Sequence, residues 1–416
     1  MHILVHDFAG HPFQVQLSRE LAGRGHSVSH LYLEDLPGPK GPLRRAPQDP
    51  PSFHPVPVSL GAPLEKYSML KRHFAHRQYA RALTAFIRDH RPDAILSANT
   101  PIDVQHCLMN ECRRKGIAFV HWMQDLYCMA VRNVLIKKVG RCGAPVAWHY
   151  DRLERHVCER SDAVVFITPD FLSATSRMGF RPARNYVVEN WAPLEDLTPA
   201  ARRNAWSARH NLSDKIVFLY SGTLGLKHKP ELLYRLAMAL DDCKDAVVVV
   251  VSEGLGRAWL ERQPPRRNLV LMDFQSYSEM SEVLGAADVL LAVIEKDAGV
   301  FAVPSKVLSY FCAARPVLLA APETNLAART LLRANAGFTV DPDDTHGFAD
   351  AARRLAADPD IRRVLAGNAR QYAATTFDIH AIGARFELIL REAAEAAAFS
   401  PGARAYDPAY PRVAAE

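Results

Sequence analysis

The amino-acid sequence predicts an α/β protein with two doubly wound, Rossmann-like domains in succession and a final crossover helix. Three observations lead there. Short apolar runs alternate with amphipathic stretches of helical length; the alternation occurs twice; and a polar stretch at 190–214 separates the two series. Strands alternating with helices build βαβ units and a parallel sheet covered on both faces.

In the first series the strand-like runs lie at 2–6, 27–33, 93–97, 117–121, 163–167 and 186–188, with helical patterns at 14–24, 67–90, 102–115, 147–160 and 169–178 between them. Asn190-Trp191-Ala192-Pro193 reads as a loop. The second series has strands at 215–220, 246–251, 268–271, 288–293, 316–320 and 338–340, and helices near 230–240, 276–286, 305–314, 324–333 and 345–356. Ile379, Ile382, Phe386 and Leu390 recur at helical spacing and give a last helix. The expected division is a first domain over 1–195, a second over 196–376, a crossover helix over 377–397 that packs on the first domain, and a disordered tail over 398–416 rich in Pro, Ala and Arg.

Composition narrows the function. In 416 residues, 49% are hydrophobic and 23% charged, the make-up of a globular protein with sizeable cores. Seven cysteines without regular spacing point to reduced thiols and complete no zinc pattern. Met1-His2-Ile3-Leu4-Val5-His6 reads as a buried strand, not a leader, and the apolar runs are strand-length, so the expected location is the cytoplasm. The net charge is +6, and the basic residues cluster. One cluster, over 66–91, holds Lys66, Lys71, Arg72, Arg77, Arg81, Arg88 and Arg91 against Asp89; another, over 132–141, holds Arg132, Lys137, Lys138 and Arg141. Such clusters are either solvated helix faces or an attraction to anionic head groups or a phosphorylated acceptor, which would bring the protein to the inner face of the membrane. They lack the interleaved aromatics of a nucleic-acid surface.

Ligands in open α/β sheets bind beyond the carboxyl ends of the strands, so two such domains in succession predict a cleft lined by the loops after strands. The most informative loop is Tyr220-Ser221-Gly222-Thr223-Leu224-Gly225-Leu226-Lys227-His228-Lys229-Pro230. Gly222 and Gly225 allow close backbone approach, Lys227 and Lys229 supply charge, and Pro230 opens a helix whose free N–H groups favour an anion. A second loop, 297–308, repeats the design with Gly299, Pro304, Ser305 and Lys306. A lysine at a helix start opposes the dipole unless a bound anion neutralises both. Together the loops predict a diphosphate cradle. Further candidates follow other strands: Gly10 and His11 (with His6) after the first, Asp125 in His121-Trp122-Met123-Gln124-Asp125, Glu253, and Phe274, whose ring suits a nucleobase. Asp125 serves either a sugar hydroxyl or the cap of the following turn. Asp341-Pro342-Asp343 is formally a D-x-D, but its proline and late position in a turn count against a metal site.

These motifs resemble the retaining family-four glycosyltransferases. The resemblance rests on 221–233, on Pro304-Ser305-Lys306-Val307-Leu308-Ser309-Tyr310, on Ala313-Ala314-Arg315-Pro316-Val317, and more loosely on Gly23-Arg24-Gly25-His26, Gln124-Asp125-Leu126-Tyr127 and Asn190-Trp191. It is similar above all to the branch that builds bacterial capsule, colanic-acid-like and O-antigen polysaccharides. The resemblance implies the GT-B fold, a UDP- or GDP-sugar donor held by the second domain, a glycan or polyprenyl-diphosphate-linked acceptor, and a hexosyltransferase-type reaction with retention. It implies that Lys227 and Lys306 stabilise the leaving diphosphate, so a metal is redundant and no cofactor is expected. The family's paired glutamates fall on Phe301 and Ser309, which leaves ribose binding to another group, with Glu295 nearby. Ala314 sits where glycine is common, and Arg315 also departs from the pattern. A non-hydrolysing nucleotide-sugar epimerase and a non-catalytic nucleotide-sugar-binding partner are the rival readings. No carboxylate pair suits a glycosidase, and neither first βα turn carries G-x-G-x-x-G, which argues against a nicotinamide oxidoreductase.

Overall fold

The computed structural model describes residues 1–36, 40–61, 69–225 and 227–399, with only the backbone at 69–71, 137, 138 and 141. The tail expected at 398–416 lies from Ser400 onward outside the described residues, as do Lys66 and Leu226. The chain forms two compact units that divide after Glu189 and again after Asp378, so that the last helix, Ile379–Phe399, belongs to the first unit.

Among the described residues the first unit holds seven strands: β1 (His2–Asp7), β2 (Ser27–Leu33), β3 (Phe53–Val58), β4 (Ala94–Ala98), β5 (Ala118–Met123), β6 (Ala163–Phe166) and β7 (Asn185–Val187). All pairings are parallel, in the order β3-β2-β1-β4-β5-β6-β7. Sequence periodicity does not reveal β3, because Pro55 and Pro57 interrupt it. As an edge strand it needs ladder donors on one side only, and proline is tolerated there.

The second unit holds β8 (Ile216–Ser221), β9 (Ala246–Val251), β10 (Leu269–Met272), β11 (Val289–Val293), β12 (Val317–Ala320) and β13 (Gly337–Val340), again all parallel, in the order β10-β9-β8-β11-β12-β13. The strands are uninterrupted apolar runs because helices cover both faces; Val248, Val250, Leu291 and Leu318 sit in one core with Leu232, Leu236 and Phe348 from those helices. In each sheet the winding direction reverses once, between β1 and β4 and between β8 and β11. Loops on either side of such a reversal leave in opposite directions and open a crevice at the strand C-termini.

Proline opens the helices Pro12–Gly23, Pro169–Arg177, Pro230–Ala239 and Pro359–Thr376, where its missing N–H costs nothing. The helix Ile379–Phe399 is fastened to the first unit by Glu387, which accepts from Arg24 Nε at 2.6 Å and His26 Nε2 at 3.0 Å. Arg391 and Arg24, with His26, hold the Glu387 carboxyl down to about 2. Phe386 packs on Trp122 with ring centroids 4.6 Å apart.

Candidate functional site

The crevice of the second unit is built around the separation of β8 from β11. These strands pair only at Val289–Phe218 and Leu290–Leu219. Beyond that register the Tyr310 hydroxyl spans the gap: it accepts from the Ser221 N–H at 3.1 Å and faces the carbonyls of Ser221 at 3.2 Å and Leu291 at 3.1 Å. Tyr310 belongs to the helix Lys306–Cys312, so the same short helix that carries Lys306 fixes the spacing of the two strands.

At the end of β8 the chain turns through Gly222 at φ +127°, where a side chain would be strained. Lys306 uses the space: a Cβ on Gly222 would lie 3.0 Å from its Nζ. That Nζ stands 3.5 Å from the centroid of the Tyr220 ring, is sealed from solvent and has no hydrogen-bond partner. Burial, with the Lys227 charge beside it, pushes the Lys306 ammonium well below the usual lysine range. The two lysine-bearing loops are tied directly, since the Glu295 N–H donates to the Lys227 carbonyl at 3.0 Å. On the other side Leu224 N–H donates to the Glu253 carbonyl at 2.9 Å, and the Tyr220 hydroxyl donates to the Thr223 carbonyl at 3.0 Å. Gly254, at φ +101°, brings the loop after β9 close enough that a Cβ would meet the Leu224 oxygen at 2.9 Å.

The geometry therefore brings together Gly222, Thr223, Lys227, Glu253 and Lys306. Ser305 is exposed at the start of the Lys306 helix and makes no side-chain cap. Phe274, half-buried, follows β10, two strands away from β8.

Lys229 does not join the cradle. Its Nζ donates to Asp343 at 2.7 Å and to the Pro342 carbonyl at 2.9 Å. Asp341 takes Lys296 at 3.0 Å, so the Asp-Pro-Asp turn spends its carboxylates on lysines. Sequence reading missed His228, whose Nδ1 accepts from the Gly225 N–H at 3.0 Å. Burial, then the charges of Lys306 and Lys227, depress this ring to about 2, so it is neutral and carries its proton on Nε2. Of the departures from the family pattern, Phe301 is buried apolar core. Ala314 stands at φ +52°, which explains why glycine is common there. Arg315 laces three carbonyls together: Gly285 at 2.7 Å, Ala200 at 2.8 Å and Ala314 at 2.9 Å.

In the first unit a cavity of about 300 Å³ opens at the ends of β4 and β5, lined by Arg72, His76, Asn99, His121, Gln124 and Asp125 among others. Asp125 is exposed at this cavity, and Leu126, the N-cap of the next helix, has no polar side chain to cap it. Glu154 does so instead, accepting from the N–H groups of Tyr127 at 3.0 Å and Cys128 at 2.8 Å. Burial raises its carboxyl to about 7. His6 cannot reach a ligand: it is fully buried between Ser97 Oγ and the Tyr79 hydroxyl, each at 3.0 Å, and burial lowers it to about 3. The turn after β1 is organised by Asp7, another residue that periodicity conceals. Gly10 adopts φ +74°, and Asp7 accepts from the Ala9 N–H at 3.2 Å, from the His11 N–H, and from His11 Nδ1 at 3.0 Å. Burial works to raise the Asp7 carboxyl, but the His11 contacts hold it below its ordinary value. His11 itself stays partly exposed. Among the described residues no three His, Cys, Asp or Glu are placed to hold a metal ion, and no helix is long and apolar enough to cross a membrane.

Two tandem sheets of Rossmann strand order, with a terminal helix returning to the first unit, are the architecture of GT-B glycosyltransferases. Sucrose-phosphate synthase from Thermosynechococcus elongatus is similar over 94% of this chain and 98% of its own, with a TM-score of 0.71 and 15% identity. Anabaena HepE, solved with UDP and glucose, is similar over 94% of this chain and 99% of its own, with a TM-score of 0.69 and 13% identity. Residues 11–191 match the family model of a glycosyl transferase 4-like domain. A curated relative, alpha-D-kanosaminyltransferase from Streptomyces kanamyceticus, is 25% identical over 250 residues, 58% of this chain and 62% of that protein. The match thus spans about three fifths of that relative's length.

Proposed function

We propose that the chain is a retaining, metal-independent glycosyltransferase that takes a sugar from a UDP- or GDP-linked donor. The observation that carries this reading is the unpaired, enclosed Lys306 Nζ on the Gly222 backbone, with Lys227 beside it at the β8/β11 reversal. Two clustered lysines repel each other, and a buried ammonium without a partner is costly. A diphosphate removes both penalties. Departure of the nucleoside diphosphate develops charge on its β-phosphate, and Lys227 and Lys306 would stabilise that charge in a site where electrostatics is strong. Neutral His228 would offer its Nε2–H as a further donor. Phe274 lies two strand spacings away, roughly 10 Å, a distance suited to the nucleobase of the same ligand.

The ligands named for Anabaena HepE, UDP and glucose, support a nucleotide-sugar donor here. For the acceptor we assign the cavity bounded by Arg72, His76 and Asp125, with a glycan or polyprenyl-diphosphate-linked substrate of cell-surface polysaccharide synthesis. One observation favours a non-catalytic nucleotide-sugar-binding partner: a buried, apolar Phe301 and a half-buried Ser309 replace the two family glutamates.

The test is transfer from UDP- and GDP-sugars to an acceptor panel, with product stereochemistry read by NMR. Retained configuration, full activity with a chelator and loss in Lys227→Ala support the proposal. Chelator inactivation, an unaffected Lys227→Ala, donor isomerisation without acceptor, or binding without turnover each contradicts it.

A further inference from the structure

Residues 126–150 contain no acidic side chain, yet include Arg132, Lys137, Lys138 and Arg141. They fold as most of a helical hairpin in the first unit: the helices Tyr127–Val139 and Ala144–Arg160, joined by the 3-10 turn Gly140–Gly143. The base is fixed by Glu154 on the N–H groups of Tyr127 and Cys128, and by Tyr127 against Tyr150 with centroids 5.7 Å apart. The tip is closed tightly, because a Cβ on Gly143 would lie 2.9 Å from Leu135 Cβ. The tip turns large apolar side chains to solvent: Ile136 is 59% exposed, Val139 52%, Val146 41% and Trp148 60%.

We infer that the tip of this hairpin is a membrane-docking element, which seats Ile136, Val139, Val146 and Trp148 among the head groups of an anionic lipid surface. Single exposed apolar residues are ordinary, but four within thirteen positions at one end of a helical hairpin are a concentration that calls for a partner. Tryptophan favours the lipid–water boundary, and aliphatic neighbours add buried area. Charge selects the partner. Arg132 is neutralised by Asp151 nearer the base; Lys137, Lys138 and Arg141 lie in a stretch of sequence with no Asp or Glu, a local excess of positive charge that complements anionic lipid. An apolar protein partner would not require that excess. The helix Tyr127–Val139 is about 20 Å long. Its first turn lines the 300 Å³ cavity, so docking at the tip would hold that cavity near the lipid surface.

Docking at the tip does not depend on the donor site and is tested without it. Flotation of the full chain with phosphatidylcholine vesicles, with and without phosphatidylglycerol, should show binding to the anionic vesicles only, weakened by salt. Lys137→Glu/Lys138→Glu should lower partitioning by roughly thirtyfold or more, and Ile136→Ser/Trp148→Ser by about tenfold or more. Trp122, Trp191 and Trp206 are buried and Trp259 partly so. A blue shift of emission on anionic vesicles should therefore occur in the native protein and vanish in Trp148→Phe. Unchanged thermal midpoints would show that the variants fold. No binding to anionic vesicles at low salt, or binding that all tip variants retain, would overturn the inference. So would self-association that the same variants abolish, which would make the tip a protein interface.

Discussion

Lys306 shows how much one residue type can reveal and how much its surroundings add. A lysine after Pro304-Ser305 suggests anion binding from sequence alone, because its charge opposes the helix start. That its ammonium stands over Tyr220 and against Gly222 depends on strand order, which no local pattern encodes. The converse holds for Lys229, which has the same local signal but reaches Asp343, distant in sequence. In this account Lys227→Ala and Lys306→Gln each lower kcat/KM by about 10². The double variant loses less than the product, because both lysines act on one anion. Ala314 supplies a separate prediction. An L-residue at φ +52° is strained, so Ala314→Gly should stabilise the second unit by about 1 kcal/mol in urea unfolding. A destabilising Ala314→Gly would contradict that assignment.

At the scale of elements, the strands and most helices are legible because buried parallel strands are uninterrupted apolar runs. The exceptions have physical causes. β3 is hidden by prolines that only an edge strand accepts. The hairpin helix Tyr127–Val139 lacks a local cap signal because its cap, Glu154, comes from the partner helix. Tyr310 reads as one more apolar position of a helix, yet its hydroxyl bridges β8 and β11. Tyr310→Phe leaves the Ser221 N–H without that bond and should cost about 1–3 kcal/mol. It should also weaken nucleotide binding, by letting the two strands that set the cradle drift. A Tyr310→Phe variant with native stability and affinity would remove the clamp from the account.

At the scale of the whole molecule, the two units differ in buried imidazoles. In the first, burial depresses His6 and His121 to about 3 and His30 and His106 to about 4; in the second only His228, at about 2, is comparable. Unfolded histidine takes up a proton near pH 6.5 while these folded rings stay neutral. Stability therefore declines as pH falls below that value, until the folded rings titrate as well. Glu154, raised to about 7, acts in the opposite sense but for one proton only. The first unit should thus unfold before the second in an acid titration followed by calorimetry, and coincident or reversed order would contradict it. Among the described residues, twelve of the thirteen parallel strands follow from alternating patterns, whereas β3 and the capping, clamping and charge pairing that shape the candidate sites depend on residues far apart in the chain.

The most direct measurement is nucleotide titration followed by isothermal calorimetry, with UDP and GDP on the native chain and on Lys227→Ala, Lys306→Gln and their combination. One shared diphosphate site predicts binding of at least one nucleotide, loss of affinity in each single variant, and strong non-additivity in the double variant. No binding of either nucleotide, or losses that simply add, would contradict the convergence of the two lysines on one anion.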